Sequence, residues 1–153
     1  MRLEVSGQLT SLDVSRNTAL TRLEVSGQGQ LTSLDVSRNT ALRSLGVWDG
    51  QLTSLDVRNN TALIELFVEY TQLTNLDVSN NTELRYLRIS RNQLTTSVLN
   101  TLFESLPQGH SRYWDRWEQR YIYSHRIFIG NNPGANEANT SIASARGWGV
   151  YLW

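Results

Sequence analysis

Hydrophobic residues return along this chain in a short phrase, Leu-x-x-Leu-x-Val, and the polar residues between them repeat almost as faithfully. The segment LTSLDVSRNTAL stands unchanged at Leu9–Leu20 and Leu31–Leu42, then recurs as LTSLDVRNNTAL from Leu52 and LTNLDVSNNTEL from Leu73. A looser unit alternates with it: LTRLEVSGQGQL from Leu20, LRSLGVWDGQL from Leu42, LIELFVEYTQL from Leu63 and LRYLRISRNQL from Leu84, with a shortened copy over Met1–Leu9. One full period is 21 or 22 residues. In both halves the apolar residues at the fourth and sixth positions lie two apart, so they point to one side of a short extended segment and their neighbours point away. Units of this period cannot bury their apolar sides alone, which predicts a solenoid of stacked coils with each half forming one side.

The looser half follows the leucine-rich repeat pattern LxxLxLxxNxL, and LRYLRISRNQL ends in the family manner at Asn92. The chain resembles that family over its whole length. The LDVSxNTAL half, with a tail carrying LNTLFESLP, IFIGNNPG and SIASARGW, resembles repeats of Bacteroidetes surface and secreted proteins. In that group the position of Val25, Val47 or Val68 is often Cys, and this chain departs from the pattern. The resemblance implies an α/β, mostly β fold: a leucine-rich repeat solenoid whose parallel concave sheet is made from the Leu3, Leu23, Leu45, Leu66 and Leu87 segments. With one terminal strand, such a sheet spans about 25 Å at the usual strand spacing. The resemblance also implies a protein-binding module, natural or engineered, in an extracellular or cell-surface setting.

After residue 95 the repeat gives way to a different organisation, expected to be a C-terminal cap over 96–153 within a single domain of 1–153. Thr96 is placed to cap a helix carrying Val98, Leu99, Leu102, Phe103 and Leu106 on one face, and Pro107 stops it. Arg126–Asn132 restores the strand pattern, with Ile127 and Ile129 inward and Asn132 at the repeat's Asn position. Asn139 is placed to cap a second short helix ending at Gly147, and Trp148–Trp153 reads as the last strand. Between helix and strand lies an insertion, 108–125, QGHSRYWDRWEQRYIYSH. As a helix it would align Trp114, Trp117 and Tyr121 on one face and Arg112, Arg116 and Arg120 on another. As a hairpin, Tyr121 and Tyr123 would alternate with Ile122 and lead into the strand.

Comparison of copies within the chain separates scaffold from variable surface. The LDVS half barely changes: Asp13, Asp35, Asp56 and Asp77 form one column, and Asn17, Asn39, Asn60 and Asn81 another. The Asn column reads as a turn ladder in which side-chain amides bond backbone groups otherwise unpaired. The Asp column reads as solvated or bonded to Ser, Thr and backbone N–H groups. A cation along it is the lesser reading, because hard cations need oxygens that converge on one point.

The looser half varies at its outward positions, and only from the third coil onward. Arg2, Glu4 and Ser6, then Arg22, Glu24 and Ser26, read as a solvated face. The third coil offers Ser44, Gly46, Trp48 and Asp49, the fourth Glu65, Phe67, Glu69 and Tyr70, and the fifth Tyr86, Arg88, Ser90 and Arg91. An exposed aromatic patch points to an interface, and Trp, Tyr and Arg carry most recognition energy. Partner contact is therefore expected at Trp48, Asp49, Glu65, Phe67, Glu69, Tyr70, Tyr86, Arg88 and Arg91, joined by Arg112, Tyr113, Trp114, Arg116, Trp117, Arg120 and Tyr121 of the insertion. The competing reading folds these side chains under the insertion as a cap. The motif's Asn is replaced at Gly50 and Thr71, as if local stability were traded for variety.

Composition narrows the chemistry. Fourteen Arg balance fourteen acidic residues and there is no Lys, so charge gives no reason to expect nucleic acid or an anionic membrane as partner. Absence of Cys excludes disulfides and thiolate chemistry. The chain opens inside a repeat with no leader-like segment, and no apolar run approaches spanning length. Glu65 with Glu69, or Asp49 with Glu69, is the nearest approach to a catalytic carboxylate pair, but an open sheet offers no pocket to shift a pKa, so no enzyme and no cofactor is expected. His110 and His125 lack a third ligand at metal-site spacing and read as solvated. GNNPG lacks the following Lys of a phosphate loop. A protein partner is the first expectation, and a glycan or self-association through the insertion are the alternatives.

Overall fold

A computed structural model describes residues 1–27, 30–109, 113–115, 120–122 and 124–153, the two short internal segments by their backbone alone. The Leu-x-Val phrase of the looser half forms strands β1 (Arg2–Ser6), β2 (Arg22–Ser26), β3 (Ser44–Trp48), β4 (Glu65–Glu69) and β5 (Tyr86–Arg88). Two further strands, β8 (His125–Phe128) and β9 (Trp148–Tyr151), follow in the cap. All seven form one parallel sheet in the order β1-β2-β3-β4-β5-β8-β9. Parallel neighbours need a crossover, and here each crossover is the other half of a coil. The sheet therefore has seven strands, because both strands read in the cap join it and not the single terminal one counted into its span.

The LDVS half forms no strand. It runs extended across the back of each coil and turns at its Asn, where Asn39 N–H donates to Val36 O and Leu42 N–H to Asn39 O, at 2.9 and 3.0 Å. Between these walls lies a continuous core in which Leu20, Leu42, Leu63 and Leu84, one per coil, are fully buried. The asparagine ladder is present. Asn60 donates through Nδ2 to Val36 O and Asn39 O, and Asn81 to Val57 O and Asn60 O, at 2.9–3.0 Å. Each coil thus ties its turn to the one before with bonds that are buried from water, where leaving a carbonyl unpaired is costly.

Helix α1 (Thr96–Ser105) replaces the LDVS wall of the fifth coil and buries Leu99, Leu102 and Phe103. Its cap is Thr95, one residue earlier than expected, whose hydroxyl accepts from Val98 N–H at 3.4 Å. An extended backbone at Thr95 leaves Thr96 free to enter the first turn. Helix α2 (Thr140–Ala145) is capped by Asn139 as expected. Trp148 is fully buried behind the sheet, its indole N–H donating to Pro107 O at 2.8 Å, so it closes the core at this end.

Within the insertion, β6 (Tyr113–Asp115) and β7 (Arg120–Ile122) pair antiparallel, Trp114 opposite Tyr121. The hairpin reading therefore holds for these residues and the helical one does not, in keeping with the strand preference of aromatic and β-branched side chains. Arg112, Arg116 and Trp117 lie outside the described residues. His125 departs from expectation: it is buried rather than solvated, because it opens β8 and its ring meets Trp148 edge-on at 5.2 Å.

Candidate functional site

Parallel register converts the phrase of each strand into columns that run across the sheet. The residue after each inward Leu, Ile or Val gives one column, Glu4, Glu24, Gly46, Phe67, Arg88, Phe128 and Tyr151. The residue before it gives another, Arg2, Arg22, Ser44, Glu65, Tyr86, Arg126 and Gly149. At the β1 and β2 end these columns hold ion pairs: Arg2 with Glu4, and Arg22 Nε with Glu24 Oε1 at 2.5 Å. From β4 onward they also hold rings: Phe67, Tyr86, Phe128 and Tyr151.

Trp48 stacks on Phe67 with centroids 5.9 Å apart, Phe67 meets Tyr86 at 5.5 Å, and Tyr86 meets Phe128 at 5.2 Å. Phe128 then stacks on Tyr151 at 4.8 Å, and Trp153 packs edge-on against both. Six rings so form one file across five strands and the residues beyond β9. Trp48 joins it by leaning over Gly46, where any Cβ would occupy the space of its ring. Aromatic contacts of this kind add about 0.5–1.5 kcal/mol per pair beyond burial.

Expected contact residues divide into three depths. Glu69 is 7 % exposed, a buried carboxylate whose Oε2 lies 3.5 Å from Arg88 Nε, so it supports the face rather than lining it. Trp48, Glu65, Phe67, Tyr86 and Arg88 are half-buried, with Glu65 accepting from the Ser44 hydroxyl at 3.0 Å and Arg88 lying 4.9 Å over the Phe128 ring. Asp49, Tyr70 and Arg91 are exposed, and the Arg91 guanidinium sits 4.9 Å from the Tyr70 ring centroid. Of the two carboxylate pairs considered, Glu65 and Glu69 stand at opposite ends of β4, while Asp49 and Glu69 lie on neighbouring coils, with Asp49 N–H donating to Glu69 O at 3.3 Å and the Glu69 carboxylate 3.5 Å from Arg88. Tyr113, Trp114, Arg120 and Tyr121 are described by backbone alone, so their side chains are not assigned to this face.

Those three exposed residues share a backbone peculiarity. The position four after the first inward residue has a positive φ from β1 to β8: Gly7 and Gly27 at 117 and 143°, then Asp49, Tyr70, Arg91 and Asn131 at 56–58°. Glycine occupies this conformation without penalty, whereas a side chain there costs about 1–2 kcal/mol. Coils one and two use Gly; coils three to five carry a side chain at this cost. Phe128, Tyr151 and Trp153 were not among the expected contacts. Their signal lay in RIFIGNN and WGVYLW, where Phe128 and Tyr151 follow inward Ile127 and Val150 as Phe67 follows Leu66.

The opposite wall is chemically uniform. Asp13, Asp35 and Asp77 each accept from the N–H of the Ser two residues on, and Asp56 from Arg58, at 2.9–3.0 Å. Hydrogen bonds from Ser15, Ser37 and Ser79 hold Asp13, Asp35 and Asp77 below the ordinary carboxylate range, and the forked Arg58 guanidinium lowers Asp56 to about 2. Each carboxylate serves its own turn. Among the described residues, no three acidic or His side chains converge as a metal would require. At the lost Asn positions, Thr71 donates instead to Asn92, whose Nδ2 reaches back to Val68 O at 2.7 Å, so the fourth coil recovers part of the missing ladder.

A family model for the Leucine Rich Repeat matches residues 83–106, the fifth strand and the helix after it. Among solved structures, the functional domain of InlJ from Listeria monocytogenes, which includes a cysteine ladder, superposes with a TM-score of 0.55 at 22 % identity. That match covers 94 % of this chain and 37 % of the other. An internalin, InlF, also from Listeria monocytogenes, superposes with a TM-score of 0.50 at 20 % identity, over 95 % of this chain and 51 % of the other. The chain thus spans between about a third and a half of the length of these structural relatives. No curated protein matches the sequence.

Proposed function

The chain is built of leucine-rich repeats, and on that premise we propose that it is a protein-binding module that engages its partner through the outer sheet face of coils three to five and the 108–125 insertion. The observation that carries this reading is the left-handed row: Asp49, Tyr70 and Arg91 are exposed side chains with φ of 56–58° at the position where the first two coils place Gly. Backbone strain of this kind clusters at functional sites. The ring file behind them supplies a rigid apolar floor, and Arg88 and Arg91, stacked on aromatic rings, keep guanidinium donors available to an acceptor on the partner.

The ring geometry weighs against a glycan as ligand. Sugars stack on ring faces, but here the faces of Trp48 and Phe67, and of Phe128 and Tyr151, are partly taken up by one another in stacked pairs at 5.9 and 4.8 Å. An extracellular or surface setting accompanies the proposal by family resemblance.

The test compares the wild-type chain with Tyr70→Ala/Arg91→Ala as bait for a surface-displayed protein library and as probe on a glycan array. A protein clone retained by the wild type and lost by the variant, at unchanged melting temperature, supports the reading. Glycan binding without protein binding would replace it with the carbohydrate reading, and a variant that retains every captured clone would remove these residues from the interface.

A further inference from the structure

Asp49 is the one aspartate of this chain that precedes Gly: Asp13, Asp35, Asp56 and Asp77 precede Val, and Asp115 precedes Arg. The difference is chemical. A backbone nitrogen can attack the carboxyl group of the aspartate before it and close a cyclic imide, and the side chain of the attacking residue obstructs the approach. Val, branched at Cβ, obstructs it strongly, whereas Gly has no Cβ to do so.

The fold leaves both reacting groups free. Asp49 is exposed, and among the described residues its carboxylate holds no hydrogen bond or ion pair and the Gly50 N–H has no acceptor. The column aspartates are the opposite case, since each accepts from the N–H two residues on at 2.9–3.0 Å and is thereby fixed in its own turn. Those bonds also keep them ionised, the form in which a carboxyl carbon is the poorer electrophile. The Asp49 backbone is in addition left-handed at φ 57°, a conformation disfavoured because Cβ crowds the following carbonyl oxygen. Rerouting the chain through the side chain takes that carbonyl out of the main chain.

We infer that the Asp49–Gly50 bond is a site of spontaneous covalent modification in the folded protein, where the chain isomerises to an isoaspartyl linkage. The Gly50 nitrogen bonds to Cγ of Asp49, and the carboxyl hydroxyl leaves with the amide proton as water. Water then opens the imide at either carbonyl. Opening at Cγ restores Asp49; opening at the backbone carbonyl leaves the peptide running through Cγ and the former α-carboxyl group as a free carboxylate. Nothing is oxidised or reduced, and water is the sole co-reactant. The isomerised main chain is longer by the Cβ methylene, inserted between Asp49 N–H, which donates to Glu69 O at 3.3 Å, and Gln51 N–H, which donates to Leu31 O at 3.0 Å. A turn of altered length cannot keep both bonds, so the modification loosens coil three from one of its neighbours. Any effect on partner capture rests on the interface proposed above; the chemistry does not.

The test ages the full chain, folded, at neutral pH and physiological temperature, methylates it with an isoaspartyl methyltransferase and radiolabelled S-adenosylmethionine, and maps the label by digestion and mass spectrometry. The expected result is label that grows with time in the peptide carrying Asp49, with an imide intermediate lighter by one water, and none in the peptides carrying the column aspartates. Asp49→Asn, whose amide leaves more readily, should gain label sooner, and Gly50→Ala should lose it. The Ala variant is a fair control: a Cβ at Gly50 would have Leu31 O as its nearest neighbour, at 3.6 Å, an ordinary contact, and far-UV circular dichroism checks that it stays folded. An unlabelled Asp49 peptide overturns the inference, as does equal label on the column aspartates or in Gly50→Ala. Label that forms in urea but not in the folded chain overturns it too, because the fold would then protect the bond. None of these readouts involves a partner, so their failure leaves the proposed interface standing.

Discussion

The Trp48 indole lies on Gly46, two residues before it on the same strand, and only the missing Cβ lets it stay there. This contact carries Trp48 across the sheet into the ring file and makes Gly46 a determinant of the face without being part of it.

Replacing Gly46 with Ala is therefore expected to swing the ring outward. Because the displaced atoms are the far end of a side chain and not backbone, the cost to stability is small, under about 1 kcal/mol, near the value of one aromatic pair. The loss should appear in NMR as disappearance of the Trp48–Phe67 ring contacts, with the other rings unaffected. Retention of those contacts would show that the floor accommodates a methyl group.

The asparagine ladder predicts an uneven response to one substitution. Asn60→Ala removes two buried bonds to the carbonyls of Val36 and Asn39, each of which keeps one backbone donor. At about 0.5–1.5 kcal/mol net per hydrogen bond, the loss of two should cost about 1–3 kcal/mol in denaturant unfolding. Asn17, half-exposed in the first such turn, should lose under about 0.5 kcal/mol on the same change, as surface substitutions do. Equal costs would contradict the ladder.

Left-handed residues predict a gain. Tyr70→Gly/Arg91→Gly relieves two strained positions and gives up one exposed ring–guanidinium contact, for a net stabilisation of about 1 kcal/mol and a melting temperature higher by several degrees. Stability that rises while partner capture falls is the signature of residues kept for binding. A lower melting temperature would instead make them structural.

The aspartate column predicts acid sensitivity on the scaffold wall. Asp56 has its pKa lowered from 3.8 to about 2 in the folded chain, so between these values the unfolded chain binds more protons. Its contribution is thus complete above about pH 4 and is lost as pH falls toward 2, with Asp13, Asp35 and Asp77 acting in the same direction. Asp→Asn at all four keeps an acceptor for each turn but removes the titration, and should flatten the slope of unfolding free energy against pH in that window. An unchanged slope would show that other carboxylates dominate.

Sequence alone determined the scaffold, because its rules are local. Alternation within Leu-x-Val decides which side chains face inward, and a repeat copied every 21 or 22 residues stacks like on like, so the Asn column became the ladder expected of it. Differences between copies also marked Trp48, Tyr70 and Arg91 without any coordinates.

Tertiary structure decided whatever depends on neighbours a full coil away. That Glu69 is buried beneath Arg88, that Phe128 and Tyr151 prolong the ring file, and that His125 meets Trp148 follow from contacts between strands. The competition between helix and hairpin at Trp114 and Tyr121 likewise turned on which residues pair, which a periodicity shared by both forms does not encode. A pattern along the chain fixes the direction of a side chain; its depth is set by what the next coil lays over it.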